Sequence, residues 1–209
     1  MSSWNSPMVK NLIFDMGNVI IDIDIPRTYN AFAGLAGISP EEATRLFHEK
    51  AFFHQYEIGK VGDAEFRDLM RREFSADWSD ADIDTAWCAL LLDMPVERLA
   101  RIRALQQQYN VFLLSNTNAI HVREICRRAE ALGYDFLSLF RIPFLSYEMG
   151  FMKPDSGFYE EALRRGNLVA EESLFIDDNA DNIRAASSVG IQTIWLNPIG
   201  SLLDKVAHL

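Results

Sequence analysis

Residues 9–18 read VKNLIFDMGN, an apolar run that ends on the carboxylate of Asp15 and turns at Gly17. A short apolar run bounded by turn residues is typical of a strand buried on both faces of a parallel sheet. Open α/β sheets place their chemistry just beyond the carboxyl ends of such strands. The stretch therefore predicts a buried strand with a functional carboxylate, Asp15, at its end.

The same arrangement returns farther along the chain. Ser115 follows the apolar run VFLL, and the pair Asp177 and Asp178 follows the run LFI. Lys153 lies in a loop before a predicted helix. Since the strand ends of a parallel sheet converge on one crevice, we expect these groups to lie near Asp15.

The order of the predicted elements indicates the fold class. Strand and helix patterns alternate from residue 95 onward, which predicts an α/β fold with a doubly wound, mostly parallel, Rossmann-like sheet. Helical patterns alone fill residues 25–94. We therefore predict a discontinuous core of residues 8–24 and 95–209. The inserted residues 25–94 would form an α-helical cap over the crevice, in the position of a lid.

Local patterns predict three further details. Ser39, Asp63 and Ser79 are each expected to cap a helix of the inserted segment. Residues 20–25 read IIDIDI and are followed by Pro26. The alternation of isoleucine and aspartate predicts a short extended flap. Residues 136–149 show no regular pattern.

Composition and charge narrow the classes of partner. The chain has 209 residues, 49% of them hydrophobic, and a formal net charge of −10. It can bury a sizeable core, but its charge repels nucleic acid and anionic membranes. No apolar run reaches the length of a membrane span, and residues 1–7 lack the basic segment of a signal peptide. Cys88 and Cys126 are interpreted as reduced thiols, so we expect a cytoplasmic protein.

The carboxylates have a chemical and a structural interpretation. Asp15 would attack phosphorus and form an aspartyl phosphate, or it is an ordinary turn aspartate. Asp177 and Asp178 are adjacent like charges that require a compensating cation, and oxygen ligands near a phosphate favour Mg²⁺. The alternative for that pair is a loop that caps the next helix. Because the groups occur together, we favour phosphoryl transfer from a small phosphate ester.

The neutral and basic candidates also have two interpretations each. Ser115 and Asn116 would donate hydrogen bonds to phosphoryl oxygens, or they belong to an ordinary helix cap. Lys153 would neutralise the transferring group and Asp15, or it is a solvated loop lysine.

Four segments together resemble the haloacid dehalogenase (HAD) superfamily, in its subfamily with an inserted α-helical cap. The matching motifs, in order, are FDMGNVI at residues 14–20, LSNT at residues 114–117, MKP at residues 152–154 and FIDDNADN at residues 175–182. The resemblance extends over about residues 8–205.

This resemblance implies a Mg²⁺-dependent phosphatase in which Asp15 is nucleophile and metal ligand, with Ser115 and Lys153 in the catalytic set. The backbone carbonyl of Gly17 would be another ligand. Asp178 is similar to the main carboxylate ligand of the fourth motif, and Asp177 to a further ligand or the partner of the lysine. Asn182 departs from the family, which often has Asp there.

Gly17 is the larger departure, because family phosphatases carry a second Asp there as general acid and base. Losing such catalysis typically costs about 10²–10⁴-fold in rate, which matters least for easily expelled leaving groups such as those of sugar 1-phosphates. Residues 53–59 and the motifs are also similar to those of bacterial α-D-glucose-1-phosphate phosphatases. His54 and Glu57 are therefore candidates for substrate contact or for replacing the missing acid; the alternative is two polar surface residues of the cap.

The sequence is also compatible with two other functions. One is a dehalogenase, which in this superfamily also lacks the second Asp and forms an aspartyl ester without metal. The acidic cluster of Asp177, Asp178 and Asp181 argues against it. The other is a non-catalytic phosphate binder. A phosphomutase is disfavoured because it needs the second Asp. We expect either a monomer or a homodimer.

Overall fold

The computed structural model describes residues 8–209. The expectation about a signal peptide in residues 1–7 lies outside the described residues. Within the described range, no helix is both long and apolar enough to span a bilayer. Localisation in the cytoplasm stays a prediction.

Five parallel strands form one sheet in the order β3-β2-β1-β4-β5. The strands are β1 (Asn11–Phe14), β2 (Asn110–Ser115), β3 (Pro143–Leu145), β4 (Ser173–Asp177) and β5 (Gln192–Trp195). Leu12 pairs with Val111 on one side and with Leu174 on the other. The first strand therefore lies in the centre of the sheet, with β2 and β4 as its neighbours.

Eleven α-helices accompany the strands over residues 8–209. Five lie between β1 and β2 in the inserted segment: α1 (Ile25–Ala36), α2 (Pro40–Glu49), α3 (Ala51–Glu57), α4 (Asp63–Phe74) and α5 (Asp80–Trp87). The others are α6 (Val96–Leu105), α7 (Ala119–Ala131), α8 (Ser146–Met149), α9 (Ser156–Gly166), α10 (Ala180–Ser188) and α11 (Leu202–Lys205). Short 3₁₀ turns cover Cys88–Leu90, Leu137–Leu139 and Ala170–Glu172.

The central strand β1 is buried on both faces. Leu12 and Phe14 belong to one apolar cluster, whereas Ile13 belongs to a second cluster that contains Phe158 and Phe175. Side chains of a strand alternate between faces, so each cluster occupies one side of the sheet. This explains the continuous apolar run at residues 11–14 and confirms the prediction of a doubly wound α/β sheet.

Aromatic rings fill the interior of the inserted helices. Tyr56 and Phe66 stack with ring centroids 4.1 Å apart, Phe47 and Phe53 lie 4.4 Å apart, and Phe66 lies 4.8 Å from Trp87. Each such pair stabilises the fold by about 0.5–1.5 kcal/mol beyond the contribution of the apolar area that it buries.

The division of the chain into a core and a cap at residues 24 and 95 stays a prediction.

The inserted segment leaves and re-enters the rest of the chain at one place. The N–H of Asp22 donates to the carbonyl of Asp93, and the N–H of Leu92 donates to the carbonyl of Asp22, each at 2.9 Å. Ile23 and Leu91 form an antiparallel bridge beside them. The two segments that connect the insert to the rest of the chain are therefore hydrogen-bonded to each other.

One local prediction was met only in part, and another was wrong. The predicted extended segment at residues 20–25 is reduced to isolated bridges at Ile21 and Ile23, because helix α1 begins at Ile25 with a proline in its first turn. Asp63 is the first residue of α4 and follows its N-cap, Gly62. The Asp63 carboxylate accepts a hydrogen bond from the Tyr56 hydroxyl instead.

Other local predictions are confirmed. Ser39 and Ser79 accept hydrogen bonds from the N–H groups three residues later and cap α2 and α5. Cys88 and Cys126 are free thiols. The irregular stretch 136–149 contains the edge strand β3, which its sequence pattern did not indicate.

Candidate active site

Three neighbouring strands deliver the predicted polar groups to one end of the sheet. Asp15 directly follows β1, Ser115 ends β2, and Asp177 ends β4. The strands are parallel and adjacent, so their carboxyl ends lie side by side. The convergence expected from the sequence is therefore observed.

Lys153 joins two of these carboxylates. Its Nζ lies 2.7 Å from Oδ1 of Asp15 and 2.7 Å from Oδ2 of Asp177, and all three side chains are buried. Asn116 fixes the lysine backbone, because its side-chain amide donates to the Lys153 carbonyl at 2.9 Å and its Oδ1 accepts from the Lys153 N–H at 2.7 Å. One ammonium group is thus held between two acids.

Asp177 is fully enclosed by donors. Besides Lys153, the Asn182 side-chain amide lies 3.1 and 3.0 Å from its two oxygens, and the Asn179 N–H donates to Oδ1 at 2.7 Å. Tyr159 in turn donates to the Asn182 carbonyl at 3.0 Å. Asn182, neutral where an acid was expected from the resemblance, therefore acts as a hydrogen-bond donor to Asp177.

Asp178 is less buried than Asp177 and has a different partner. The Asn18 side-chain amide donates to its Oδ2 at 3.0 Å, and Oδ1 of Asn18 accepts from the Ile23 N–H at 3.1 Å. The Asp178 carbonyl accepts from the Trp195 indole N–H at 2.9 Å. Asn18, which the sequence analysis did not single out, orients Asp178 toward the strand ends.

The acids form a group that fits a hard cation. One oxygen each of Asp15, Asp177 and Asp178 lies within 4.8 Å of the other two. Lys153 pairs with two of these carboxylates and Asp178 adds a third negative charge beside them, so negative charge exceeds positive charge at the strand ends. Carboxylate oxygens at this spacing, with a cavity beside them for water, suit Mg²⁺.

Burial changes the acidity of these groups. It raises the pKa of Asp15 to about 7, with Lys153 opposing this effect and Asp177 adding to it. Burial also raises the pKa of Asp178. For Lys153, burial works against the charged form, but Asp15 and Asp177 outweigh it and raise its pKa. The lysine therefore stays charged, while the raised pKa values of Asp15 and Asp178 favour a proton or a cation at those two carboxylates.

A cavity of about 370 Å³ lies over the strand ends. Its lining includes Asp15, Ser115, Lys153 and Asp178, together with Gly17, Asn18, Asn116, Asn179 and Asn182. The Ser115 hydroxyl contacts the Asn116 carbonyl at 3.4 Å, a long bond that leaves it able to donate elsewhere. Each candidate from the core motifs is therefore at or beside one cavity.

A second cavity, of about 240 Å³, adjoins the first on the side of the inserted helices. Tyr29, Phe47, Phe53 and Trp87 line it. Four residues line both cavities and mark their junction: Ile25, Glu57, Leu90 and His121. The floor of the combined space is therefore polar and charged, whereas its far end is aromatic.

The two candidates from the inserted helices are placed differently. Glu57 lines both cavities. His54, one turn earlier on α3, is exposed and lines neither cavity. Of this pair, the structure brings only Glu57 to the site.

His121 lines both cavities but was not singled out from the sequence. Its Nε2 lies 3.0 Å from the Trp87 carbonyl, its Nδ1 lies 3.0 Å from the Asn118 amide, and its ring stacks on Trp87 with centroids 5.1 Å apart. Burial lowers its pKa to about 4. Both ring nitrogens are engaged, so His121 is a neutral wall of the site. The only sequence signal for His121 is its position three residues after Asn118, the N-cap of α7. That position indicates a helix and not a functional site.

Comparison with known proteins agrees with this geometry. The family model of haloacid dehalogenase-like hydrolases matches residues 9–190. A D-ribitol-5-phosphate phosphatase of Bacteroides thetaiotaomicron is 29% identical over 191 residues, which cover 89% of this chain and 91% of that protein.

Two solved structures are similar over nearly the whole chain. A HAD family enzyme of Bacteroides thetaiotaomicron, in complex with magnesium and inorganic phosphate, is 33% identical with a TM-score of 0.85, covering 92% of this chain and 96% of its own. A HAD-like family hydrolase of Porphyromonas gingivalis is 26% identical with a TM-score of 0.86, covering 97% and 98%.

Proposed function

The chain belongs to the haloacid dehalogenase-like hydrolases, and from this premise we propose that it is a Mg²⁺-dependent phosphatase of a small phosphate ester. The observation that carries the proposal is Lys153, held at 2.7 Å from both Asp15 and Asp177 at adjacent strand ends. A buried ammonium beside a carboxylate that lines the cavity supplies positive charge where a transferring phosphoryl group would lie.

Asp15 is the nucleophile in this proposal. One of its carboxylate oxygens attacks phosphorus, the bond from phosphorus to the leaving oxygen breaks, and an aspartyl phosphate forms. Water then attacks phosphorus, which releases phosphate and restores Asp15. Lys153, Ser115 and Asn116 donate to the phosphoryl oxygens, since all three line the cavity beside Asp15.

The carboxylates of Asp15 and Asp178 and the carbonyl of Gly17 would hold the metal ion, with Asp177 behind them as the partner of Lys153. The clustered carboxylate oxygens and their excess of negative charge fit Mg²⁺. When bound, Mg²⁺ supplies positive charge against the phosphoryl oxygens. The same cluster is the reason to set aside a metal-independent dehalogenase, because two buried carboxylates and a third, partly buried one beside a single ammonium are costly without a cation.

The substrate in this proposal is a sugar or polyol phosphate, such as glucose 1-phosphate. Aromatic walls at Tyr29, Phe53 and Trp87 offer flat apolar surfaces, and carboxylate and imidazole groups at the junction offer polar contacts. This mixture suits a ring or chain that carries both C–H faces and hydroxyls. The name of the ribitol-phosphate relative supports the same class.

The test is phosphate release over a panel of sugar, polyol and nucleoside phosphates, with Mg²⁺ and with EDTA. We expect release from a subset of the sugar and polyol esters, lost with EDTA and in Asp15→Asn. Turnover that persists in Asp15→Asn would refute the nucleophile. An absence of release from every ester, with Mg²⁺ bound, would favour a binding protein.

A further inference from the structure

Gly17 occupies the position where the resemblance places a general acid, and glycine has no side chain that could supply a proton. A Cβ at residue 17 would lie 2.8 Å from Cδ1 of Ile23. The Ile23 backbone is held by its bridge to Leu91 and by the bond from its N–H to Asn18, and Ile23 and Gly17 both line the cavity beside Asp15. Residue 17 carries no acid, so a proton for the leaving group must come from another residue.

Most titratable groups around the cavity are already engaged. Lys153 is shared between two acids, of which Asp15 is the nucleophile. Asp178 is bonded by an asparagine beside the proposed metal site. His121 has both nitrogens bonded. Tyr29, at the second cavity, has its pKa raised by burial and by the nearby Glu57, so its hydroxyl is a weak acid at neutral pH.

Glu57 differs from all of these. It is the last residue of α3 and lines both cavities at their junction. Within residues 8–209 its carboxyl group makes no hydrogen bond and no ion pair. A carboxyl group without a protein partner, half-buried and facing a cavity, is available to a ligand.

The backbone around Glu57 is held firmly against the rest of the molecule. Gly59 has a φ of +71°, and its backbone packs against the carbonyl of Tyr147 in α8 so closely that a Cβ would not fit. The hydroxyl of Tyr56, the residue before Glu57, donates to Asp63 at 2.8 Å and accepts from the N–H of Ile120 in α7. The chain on either side of Glu57 is therefore tied to α7 through Tyr56 and to α8 through Gly59.

We propose that Glu57 is the catalytic acid and base of this enzyme, in place of the side chain that Gly17 lacks; the proposal rests on the phosphatase function proposed above. In the first step Asp15 forms its bond to phosphorus, the leaving oxygen departs, and the Glu57 proton passes to that oxygen to give a neutral alcohol. In the second step the Glu57 carboxylate takes a proton from the attacking water. The bond between phosphorus and Asp15 breaks, and Glu57 is protonated again.

The acidity of Glu57 is suited to both steps. Burial raises its pKa to about 7, so both protonation states are present near neutral pH. A general acid or base works best when its pKa lies near the operating pH.

The test compares kcat/KM of Glu57→Gln for two kinds of ester. A polyol ester such as ribitol 5-phosphate has a poor leaving group, whereas 4-nitrophenyl phosphate and acetyl phosphate have leaving groups that need no proton. Because kcat/KM reports only the steps up to formation of the aspartyl phosphate, we expect Glu57→Gln to lose about 10²–10⁴-fold on the polyol ester. We expect a loss below about tenfold on the activated esters.

A second measurement tests the role of Glu57 as the base that activates water. With 4-nitrophenyl phosphate, Glu57→Gln should release a burst of 4-nitrophenolate close to one per enzyme and then turn over slowly, because water attack has lost its base. In the wild type, kcat/KM on the polyol ester should fall as pH rises above about 7, and that limb should be absent in the variant.

Matched variants separate the outcomes. His54→Ala, on the same helix but exposed, should behave as wild type on both kinds of ester. Asp15→Asn should lose both; if it retains both, the phosphatase mechanism itself fails. If instead Glu57→Gln loses the same factor on both kinds of ester, or no activity on either at an unchanged Tm, Glu57 is a binding residue and the inference is overturned.

Discussion

Asn182 donates its side-chain amide to both carboxylate oxygens of Asp177, at 3.1 and 3.0 Å. A donor at this position satisfies a buried anion without adding charge, whereas an acid would bring a further carboxylate against Asp177. The neutral residue in the fourth motif is therefore matched to the charge of its neighbours, and its replacement has a predictable cost.

Asn182→Asp should destabilise the protein in the absence of Mg²⁺. A buried hydrogen bond to a charged group contributes about 1.5–3 kcal/mol, and a chain of 209 residues loses roughly 2–4 °C of Tm per kcal/mol. We expect added Mg²⁺ to recover part of that loss. Asp181→Asn, at the exposed neighbouring position, is the control and should change Tm little. A Tm for Asn182→Asp equal to that of wild type would contradict the argument.

Mg²⁺ itself should stabilise the folded protein. A ligand bound only by the folded state raises stability by about 2.7 kcal/mol at a hundredfold excess over its Kd. Thermal melts over a Mg²⁺ series should therefore show a rising Tm, which EDTA reverses. Asp178→Asn removes one carboxylate of the cluster and should shift the series to higher Mg²⁺ concentration. Equal curves for both proteins would remove Asp178 from the metal site.

Lys153→Ala should cost far more stability than loss of an exposed lysine. It leaves Asp15 and Asp177 buried and uncompensated, and breaking a buried pair in this way typically costs about 3–5 kcal/mol. Lys10→Ala breaks the exposed pair with Glu172, which contributes about 0–1 kcal/mol. Denaturant unfolding of both variants measures the contrast. Comparable losses would show that the active-site pair is solvated.

Gly59→Ala should weaken the contact between α3 and α8. Its positive φ costs a non-glycine residue about 1–3 kcal/mol, and the added Cβ meets the Tyr147 carbonyl. Gly34→Ala is the matched control, because residue 34 lies inside α1 and a new Cβ would meet no atom within 4 Å beyond the adjacent residues and the backbone of its own helix. That substitution should stabilise by about 0.5–1 kcal/mol. Thermal melts and KM for the polyol ester should separate the two variants.

Acidification should destabilise the fold partly through His121. Its pKa is about 4 in the folded state, below the ordinary value of 6.5, so the unfolded chain binds the proton more tightly. The stability is fully present above about pH 6.5 and is lost as pH falls toward 4. His121→Gln should flatten this part of the Tm profile, whereas His54→Gln, at an exposed position, should not. Parallel profiles for wild type and His121→Gln would contradict the assignment.

Continuous apolar runs predicted the three strands that carry the site, because β1, β2 and β4 are covered on both faces and cannot alternate in polarity. Edge strand β3 escaped prediction. It has three residues, begins at Pro143 and lies between a 3₁₀ turn and a one-turn helix. A segment this short shows no alternation of apolar and polar residues that could identify a strand. The extended segment predicted at residues 20–25 is shorter than its alternating pattern, since helix α1 begins at Ile25.

The core motifs predicted which groups meet, because strand order alone brings Asp15, Ser115 and Asp177 to one edge. Sequence could not separate Glu57 from His54, since both lie on a seven-residue helix and only its packing against α8 turns one of them to the cavity. His121 was missed because its functional position comes from a stack on Trp87, a contact between helices distant in sequence.

The paired connecting segments at Asp22 and Asp93 have a consequence for protein engineering. Backbone hydrogen bonds already join the two ends of the insert. The number of residues in the insert can therefore change without changing the distance between β1 and β2. A short turn grafted between Asp22 and Asp93 would keep the two ends of the insert at their present separation. The shortened protein would lose the apolar contacts that the insert shares with the rest of the molecule, so its stability would report how much those contacts contribute.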